Sequence, residues 1–258
     1  MRGVGDFPDA LSGSRRIRDV RKIPAAAVIL AGGRSRRMGR DKAALRVSGE
    51  RLVDRSARSL RPLFPEVYVA VGSRRWRPPA GTRAVRDRFP GAGPLAGIHA
   101  ALSAARRPYL FVFACDMPFL SPALVRFLWG RSRGARGAVP EGPRGLEPLC
   151  AFYRKDLTDE IARRLSNGRG AAVHALAALP GVRRVGRSAV RRADPEGLSF
   201  LNLNRPRDLA RLAGEGKAPY SGRRKGGGWM GSLIKKRRKK MNKHKYKKMR
   251  KRLAFLRK

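Results

Sequence analysis

The chain has 258 residues and a formal net charge of +43, with 42% hydrophobic but only 7% aromatic residues. That apolar share suffices for one ordinary core. Two cysteines, Cys115 and Cys150, each inside an apolar run, exclude a disulfide-built mini-protein and predict the reduced, buried thiols that a cytoplasmic protein keeps. No stretch reaches the roughly 18 uncharged apolar residues that a membrane helix needs, and MRGVGDFPDALSGSRRIRDVRK has no uninterrupted apolar segment of the signal-peptide kind, so a soluble protein is expected.

Charge divides the chain. Residues 217–258 hold 19 basic groups and no acid, with 12 lysines and 7 arginines, whereas the first 216 residues carry +24 and only three lysines, Lys22, Lys42 and Lys155. The arginine excess of the larger part is explained by compositional bias and implies no nucleic acid by itself.

Residues 1–24 carry many charges without a clean period and are expected to form a flexible extension. From Ala25, AAAVILAGG reads as a strand ending at paired glycines; DRSARSLRPLF is an amphipathic helix and VYVAVG a strand. A short strand at TRAVRD, a Gly/Pro-rich loop FPGAGPLAG, a helix from Ile98 to Ala105 and the strand YLFVFACD follow. SPALVRFLWGRSR reads as a helix capped by Ser121 with Pro122 in its first turn, GARGAVP and PLCAFYR as strands, and LTDEIARRLSN as a helix stopped by Gly168. FLNLN is expected as a last strand and PRDLARLAG as a last helix. Strands alternating with helices predict an α/β fold with an open, mostly parallel sheet flanked by helices over residues 25–212, then a Gly/Pro/basic linker, 213–228, and a basic segment, 229–258.

Ligands of such sheets bind at the carboxyl ends of strands. Four features fall there. Leu30-Ala31-Gly32-Gly33, continuing through Arg37 to Lys42, combines glycines that admit close backbone approach with cations suited to a triphosphate; the alternative is a tight turn with solvated arginines. It lacks GxxxxGK[ST] and is no P-loop. Asp116 in CDMP can hold Mg²⁺ against nucleotide phosphates or serve as a turn residue before Pro118. Asp87 precedes a loop able to wrap a base or ribose, or to be an ordinary helix entry. Asn202 and Asn204 alternate on the expected last strand and share a face, where they bind a polar ligand, complete a metal shell or bond along a strand edge. His99, His174 and His244 have no metal-ligand spacing.

Together these motifs resemble the molybdenum cofactor guanylyltransferase family within the nucleotidyltransferases. ILAGGRSRRMGRDKA is shared with nucleotidyltransferases broadly; the succession GPLAGI, CDMPF, PLCAFYR and NLNRPRDL is more particular. The resemblance implies a Rossmann-like nucleotidyltransferase fold, guanine and ribose contacts from Leu30, Ala31 and Gly32 beside Gly33, phosphate binding by Lys42, a nucleotide contact from Asp87, Mg²⁺ on Asp116, and Asn202 and Asn204 on the pterin side. It implies transfer of GMP from GTP to molybdenum-molybdopterin, with Lys42, Arg37 and Asp116 carrying the catalysis, and product delivery to molybdoenzymes or their chaperones. Ala70 stands where some members have a nucleotide-binding Asn, so that contact is lost or supplied elsewhere. A CTP-using or sugar-nucleotide relative, or an inactive enzyme domain on an RNA-binding protein, are the competing readings.

The tail, WMGSLIKKRRKKMNKHKYKKMRKRLAFLRK, is too self-repelling to fold without a polyanion, and Tyr246, Met249, Leu253 and Leu256 share a helical face. It resembles small basic ribosomal proteins related to the C-terminal domain of mitochondrial mRNA-processing proteins, which implies a C-terminal basic helix contacting ribosomal RNA. Members that stand alone often begin Met-Gly-Ser, so Met230 is either the relic of a fused gene or a start codon in use.

Overall fold

A computed structural model describes residues 21–31, 46–47, 49–72, 77–167 and 172–203. In chain order these form β1 (Ala26–Leu30), β2 (Arg46–Val47), β3 (Glu50–Arg51), α1 (Leu52–Leu60), β4 (Glu66–Ala70), β5 (Arg83–Val85), α2 (Pro94–Ala104), β6 (Tyr109–Ala114), α3 (Pro122–Ser132), β7 (Gly137–Gly142), β8 (Gly145–Leu146), β9 (Cys150–Arg154), α4 (Thr158–Ser166), β10 (Val182–Val185) and α5 (Arg187–Ala193), with 3₁₀ turns at Lys155–Leu157, Val173–Ala178 and Leu198–Phe200.

The sheet runs β10-β7-β9-β6-β1-β4-β5, with β8 paired to β7; β2 and β3 make a separate antiparallel ribbon. β1 pairs parallel with β4 and β6, β4 with β5, and β10 with β7, while β9 runs antiparallel between β6 and β7. The expected open, mostly parallel sheet is what forms.

β1 is buried along its whole length, because helices cover both sheet faces and remove any need for polar alternation. Ala27 and Ile29 join one core with Val53, Leu60, Phe64, Phe111, Phe113, Leu124, Leu128 and Phe152. Ala26, Val28 and Leu30 join the other, with Ala70, Leu95, Ile98, Leu102, Leu110 and Ile161. α1, α3 and α5 cover the first face, and α2 and α4 the second.

Local signals set several helix ends. Ser121 caps α3 as expected, its hydroxyl accepting from the Leu124 N–H at 3.4 Å, with Pro122 opening the helix. α1 stops at Leu60, earlier than the amphipathic pattern suggests: Arg61 keeps helical dihedrals, but Pro62 has no N–H with which to continue the ladder. α2 begins at Pro94 rather than Ile98: Gly93 takes a left-handed φ of 73° as N-cap and Pro94 supplies a preset first turn. β2, β3, β8, β10, α5 and the 3₁₀ turn at Val173–Ala178 lie outside the sequence-based expectations.

The expected strand FLNLN does not form over its described residues. Leu198–Phe200 is a 3₁₀ turn and Leu201–Leu203 follows without a ladder partner. Its backbone is satisfied differently: Leu201 N–H returns to Leu198, and Leu203 N–H donates to the Asp116 carbonyl at 2.8 Å. The expected helix PRDLARLAG, the stop at Gly168, the extension up to residue 20 and the basic tail lie outside the described residues.

Candidate functional site

Strand register assembles the site. Leu30 is level with Ala70 on one side and Ala114 on the other, and Ala70 is level with Val85. Parallel strands ending on one line send their following segments off the same sheet edge. Ala31 leaves β1 there, its N–H donating to the Ala70 carbonyl at 3.2 Å. Asp87 lies two residues past Val85 and Asp116 two residues past Ala114. Leu203 N–H on the Asp116 carbonyl brings Asn202 to the same edge. The structure therefore unites Leu30, Ala31, Asp87, Asp116 and Asn202, while Gly32, Gly33, Arg37, Lys42 and Asn204 lie outside the described residues.

The antiparallel direction of β9 adds a residue that the sequence reading passed over. Because β9 runs against its neighbours, its beginning, not its end, reaches this edge. Ala114 N–H donates to the Leu149 carbonyl at 3.1 Å, so Glu147 enters beside Asp116. Burial pushes the Glu147 carboxyl up, Arg144 opposes that rise and Asp116 adds to it. Its side chain is 14% exposed and 3.9 Å from Arg144. The one available sequence signal was an acid standing immediately before the apolar run PLCAFYR.

Asp87 is the second perturbed acid. Burial pushes its carboxyl up, and its Oδ1 has no hydrogen-bond partner. It faces α2 at Gly97, where an added Cβ would stand 3.7 Å from Oδ1, 3.0 Å from the Ala70 Cβ and 3.1 Å from Leu30 Cδ2. Only a glycine lets α2 approach so closely. Ala70 is accordingly packed beneath this helix, 2% exposed. Asn202 Oδ1 is also buried without a partner. Unpaired buried acceptors are costly and mark positions that a ligand's donors or a cation can complete.

His99 sits behind the loop, edge-on to the Phe89 ring at 5.2 Å. Its Nδ1 is buried and unpartnered, and burial, then Arg88, hold its pKa below the usual value against an opposing effect of Asp159. Among the described residues no group of three or more His, Cys, Asp or Glu side chains could hold a metal ion. Both cysteines are buried and unbridged, as expected.

These oxygen acceptors stand at the carboxyl ends of parallel strands, the ligand position of open α/β sheets. The MobA-like NTP transferase domain family matches residues 27–183, from β1 into β10. The chain belongs to this family. It is a nucleotidyltransferase, like the relatives it resembles. A protein of Pelotomaculum thermopropionicum named "probable molybdenum cofactor guanylyltransferase" is 39% identical over 189 residues, covering 73% of this chain and 92% of that protein. One of Opitutus terrae with the same name is 41% identical over 192 residues, covering 72% and 93%. The solved structure of the Archaeoglobus fulgidus molybdopterin-guanine dinucleotide biosynthesis protein A superposes with a TM-score of 0.61 at 28% identity, covering 73% of this chain and 97% of that one. The C-terminal family of the mitochondrial mRNA-processing protein COX24 matches residues 230–258, in agreement with the resemblance drawn for the tail. In the described part of this MobA-like transferase no helix is long and apolar enough to cross a membrane.

Proposed function

We propose that this MobA-like transferase moves GMP from GTP to molybdenum-molybdopterin. The observation that carries the reading is the common sheet edge, where Asp87 and Asn202 hold unpartnered buried acceptors at the edge that also carries Asp116; the names of the relatives support it. A terminal phosphate oxygen of molybdopterin bonds to the α-phosphorus of GTP as the bond to the bridging oxygen breaks, and pyrophosphate leaves with that electron pair. Leu30, Ala31, Gly32 and Gly33 hold guanine and ribose. The Asp87 carboxylate accepts from a nucleotide N–H or O–H, which ends the isolation of its buried oxygen. Lys42 and Arg37 offset phosphate charge, and Asn202 and Asn204 orient the pterin partner. Catalysis is then positioning and charge stabilisation, with no covalent nucleophile.

Mg²⁺ fits the donor chemistry. Asp116 would hold it, beside the Glu147 carboxylate and the unpartnered Asn202 Oδ1, an all-oxygen set of the kind a hard cation takes alongside water and phosphate. When bound, the ion supplies positive charge to the triphosphate. Residues 25–212 carry this activity in the cytoplasm, with delivery to molybdoenzymes or their chaperones, while residues 229–258, joined by the linker 213–228, bind ribosomal RNA as a basic helix.

The test is transfer by the full chain, with Mg²⁺ and molybdopterin, from GTP, CTP or ATP. Preference for GTP is expected, falling by about 100-fold or more in Lys42→Ala and Asp116→Ala without change in melting temperature. Preference for CTP would reassign the base, and no transfer from any nucleotide would leave RNA binding as the function. Strongly salt-dependent RNA affinity, lost when the chain ends before Trp229, is the outcome expected of the tail.

A further inference from the structure

We infer that Arg144 is a positioning residue that sets the pterin side of the site against the nucleotide side. It occupies the two-residue turn Pro143-Arg144 between β7 and β8, whose pairing places Gly142 opposite Gly145. Its Nη2 donates to the Phe200 carbonyl at 2.9 Å, and its Nε lies 3.9 Å from Glu147 Oε1. The guanidinium therefore joins the hairpin, the carboxylate beside Asp116, and the turn that leads to Asn202.

That junction matters because Leu201–Leu203 has no sheet ladder to hold it. Discrete bonds do so instead. Upstream, Ser199 accepts from Ser121 N–H at 2.9 Å and donates its own N–H to Asp194 at 3.1 Å. Downstream, Leu203 N–H reaches the Asp116 carbonyl. Between them stands the bond from Arg144 to Phe200, the residue two before Asn202. Packing supports the same link: a Cβ on Gly142 would fall 2.9 Å from Glu147 Cγ and 3.1 Å from Phe200 Cγ, so hairpin, Glu147 and Phe200 are pressed together. Leu30 ends β1, Ala31 follows it, and Asp87 lies past β5; none of them makes a hydrogen bond to this segment. Loss of Arg144 frees the Phe200 carbonyl, loosens Asn202 relative to Asp116, and leaves the nucleotide contacts in place. The kinetic part of this inference rests on the proposed pterin-side role of Asn202.

The full chain is compared with Arg144→Ala and Arg144→Lys in three measurements. Arg144→Ala is expected to raise KM for molybdopterin about tenfold, with a smaller change in kcat. The dissociation constant for GTP should stay within about twofold, and Arg144→Lys should recover most of the loss, since an ammonium can still donate to Phe200 and face Glu147. Amide hydrogen exchange at Leu203 should quicken in Arg144→Ala. An unchanged KM, or GTP affinity falling in step with it, overturns the inference. If the wild-type chain transfers nothing to molybdopterin, the proposed function fails, and Leu203 exchange alone decides the clamp: faster exchange in Arg144→Ala upholds it, and unchanged exchange overturns it.

Discussion

The Leu203 amide donates to the Asp116 carbonyl at 2.8 Å, tying the last described segment of the chain to the residue pair that follows β6. Asn202 is thereby carried to the edge formed by β1, β4, β5 and β6 although it lies on no strand. Segments that leave strand ends and a segment held by hydrogen bonds meet at Asp116.

Asp87 gives the site a pH signature. Its folded pKa lies above the ordinary value of 3.8 because of burial. The preference of the fold for the protonated acid is complete below that ordinary value and is lost as pH rises through the folded value, so at neutral pH the ionised group weakens the free protein. Asp87→Asn should raise the melting temperature near pH 7, leave it nearly unchanged near about pH 3, and weaken GTP binding. Thermal scans across pH and GTP titration check this; equal melting temperatures at both pH values would contradict it.

Gly97 and Gly130 are both helical glycines, but their surroundings differ. At Gly97 a Cβ meets Ala70 and Leu30 at 3.0 and 3.1 Å, whereas nothing lies within 4 Å at Gly130. Gly97→Val should destabilise the fold by about 1–3 kcal/mol and loosen nucleotide binding, because α2 must back away from Asp87. Gly130→Ala should stabilise by about 0.5–1 kcal/mol through helix propensity alone. Denaturant midpoints of the two variants moving in opposite directions is the expected result.

Phe152 binds the antiparallel strand into the core. It is fully buried, with ring centroids 4.9 Å from Phe111, 5.6 Å from Trp129 and 6.1 Å from Phe64. Phe152→Ala should cost about 3–5 kcal/mol in urea unfolding.

The two thiols should be silent in the native protein. Burial, then Glu147 and Asp194, pushes the Cys150 thiol far above its ordinary range, and Cys115 is 4% exposed. An aromatic disulfide reagent should label neither until the chain unfolds, then both. Labelling of the folded protein at neutral pH would contradict this.

Much of the fold is written in local pattern. Apolar runs such as AAVIL and YLFVFA announce buried strands, and Ser121-Pro122 announces a helix start, because burial and capping depend on neighbouring residues. The placement of Asp87 and Asp116 just past strands was legible for the same reason. The FLNLN run misled, because an apolar alternation shows that side chains pack and not where the backbone finds its hydrogen bonds; here Leu203 took the Asp116 carbonyl instead of a ladder.

By itself, then, the sequence determined the alternation of strands and helices, the acids at strand ends, and the contrast between an arginine-rich domain and a lysine-rich tail. Tertiary structure decided that β9 runs antiparallel, which brings Glu147 rather than the end of PLCAFYR to the site, and that Arg144 reaches Phe200. The physical reason is symmetry: a run of buried apolar residues reads the same in either direction, and only pairing with β6 and β7 selects which end reaches the edge that carries Asp116.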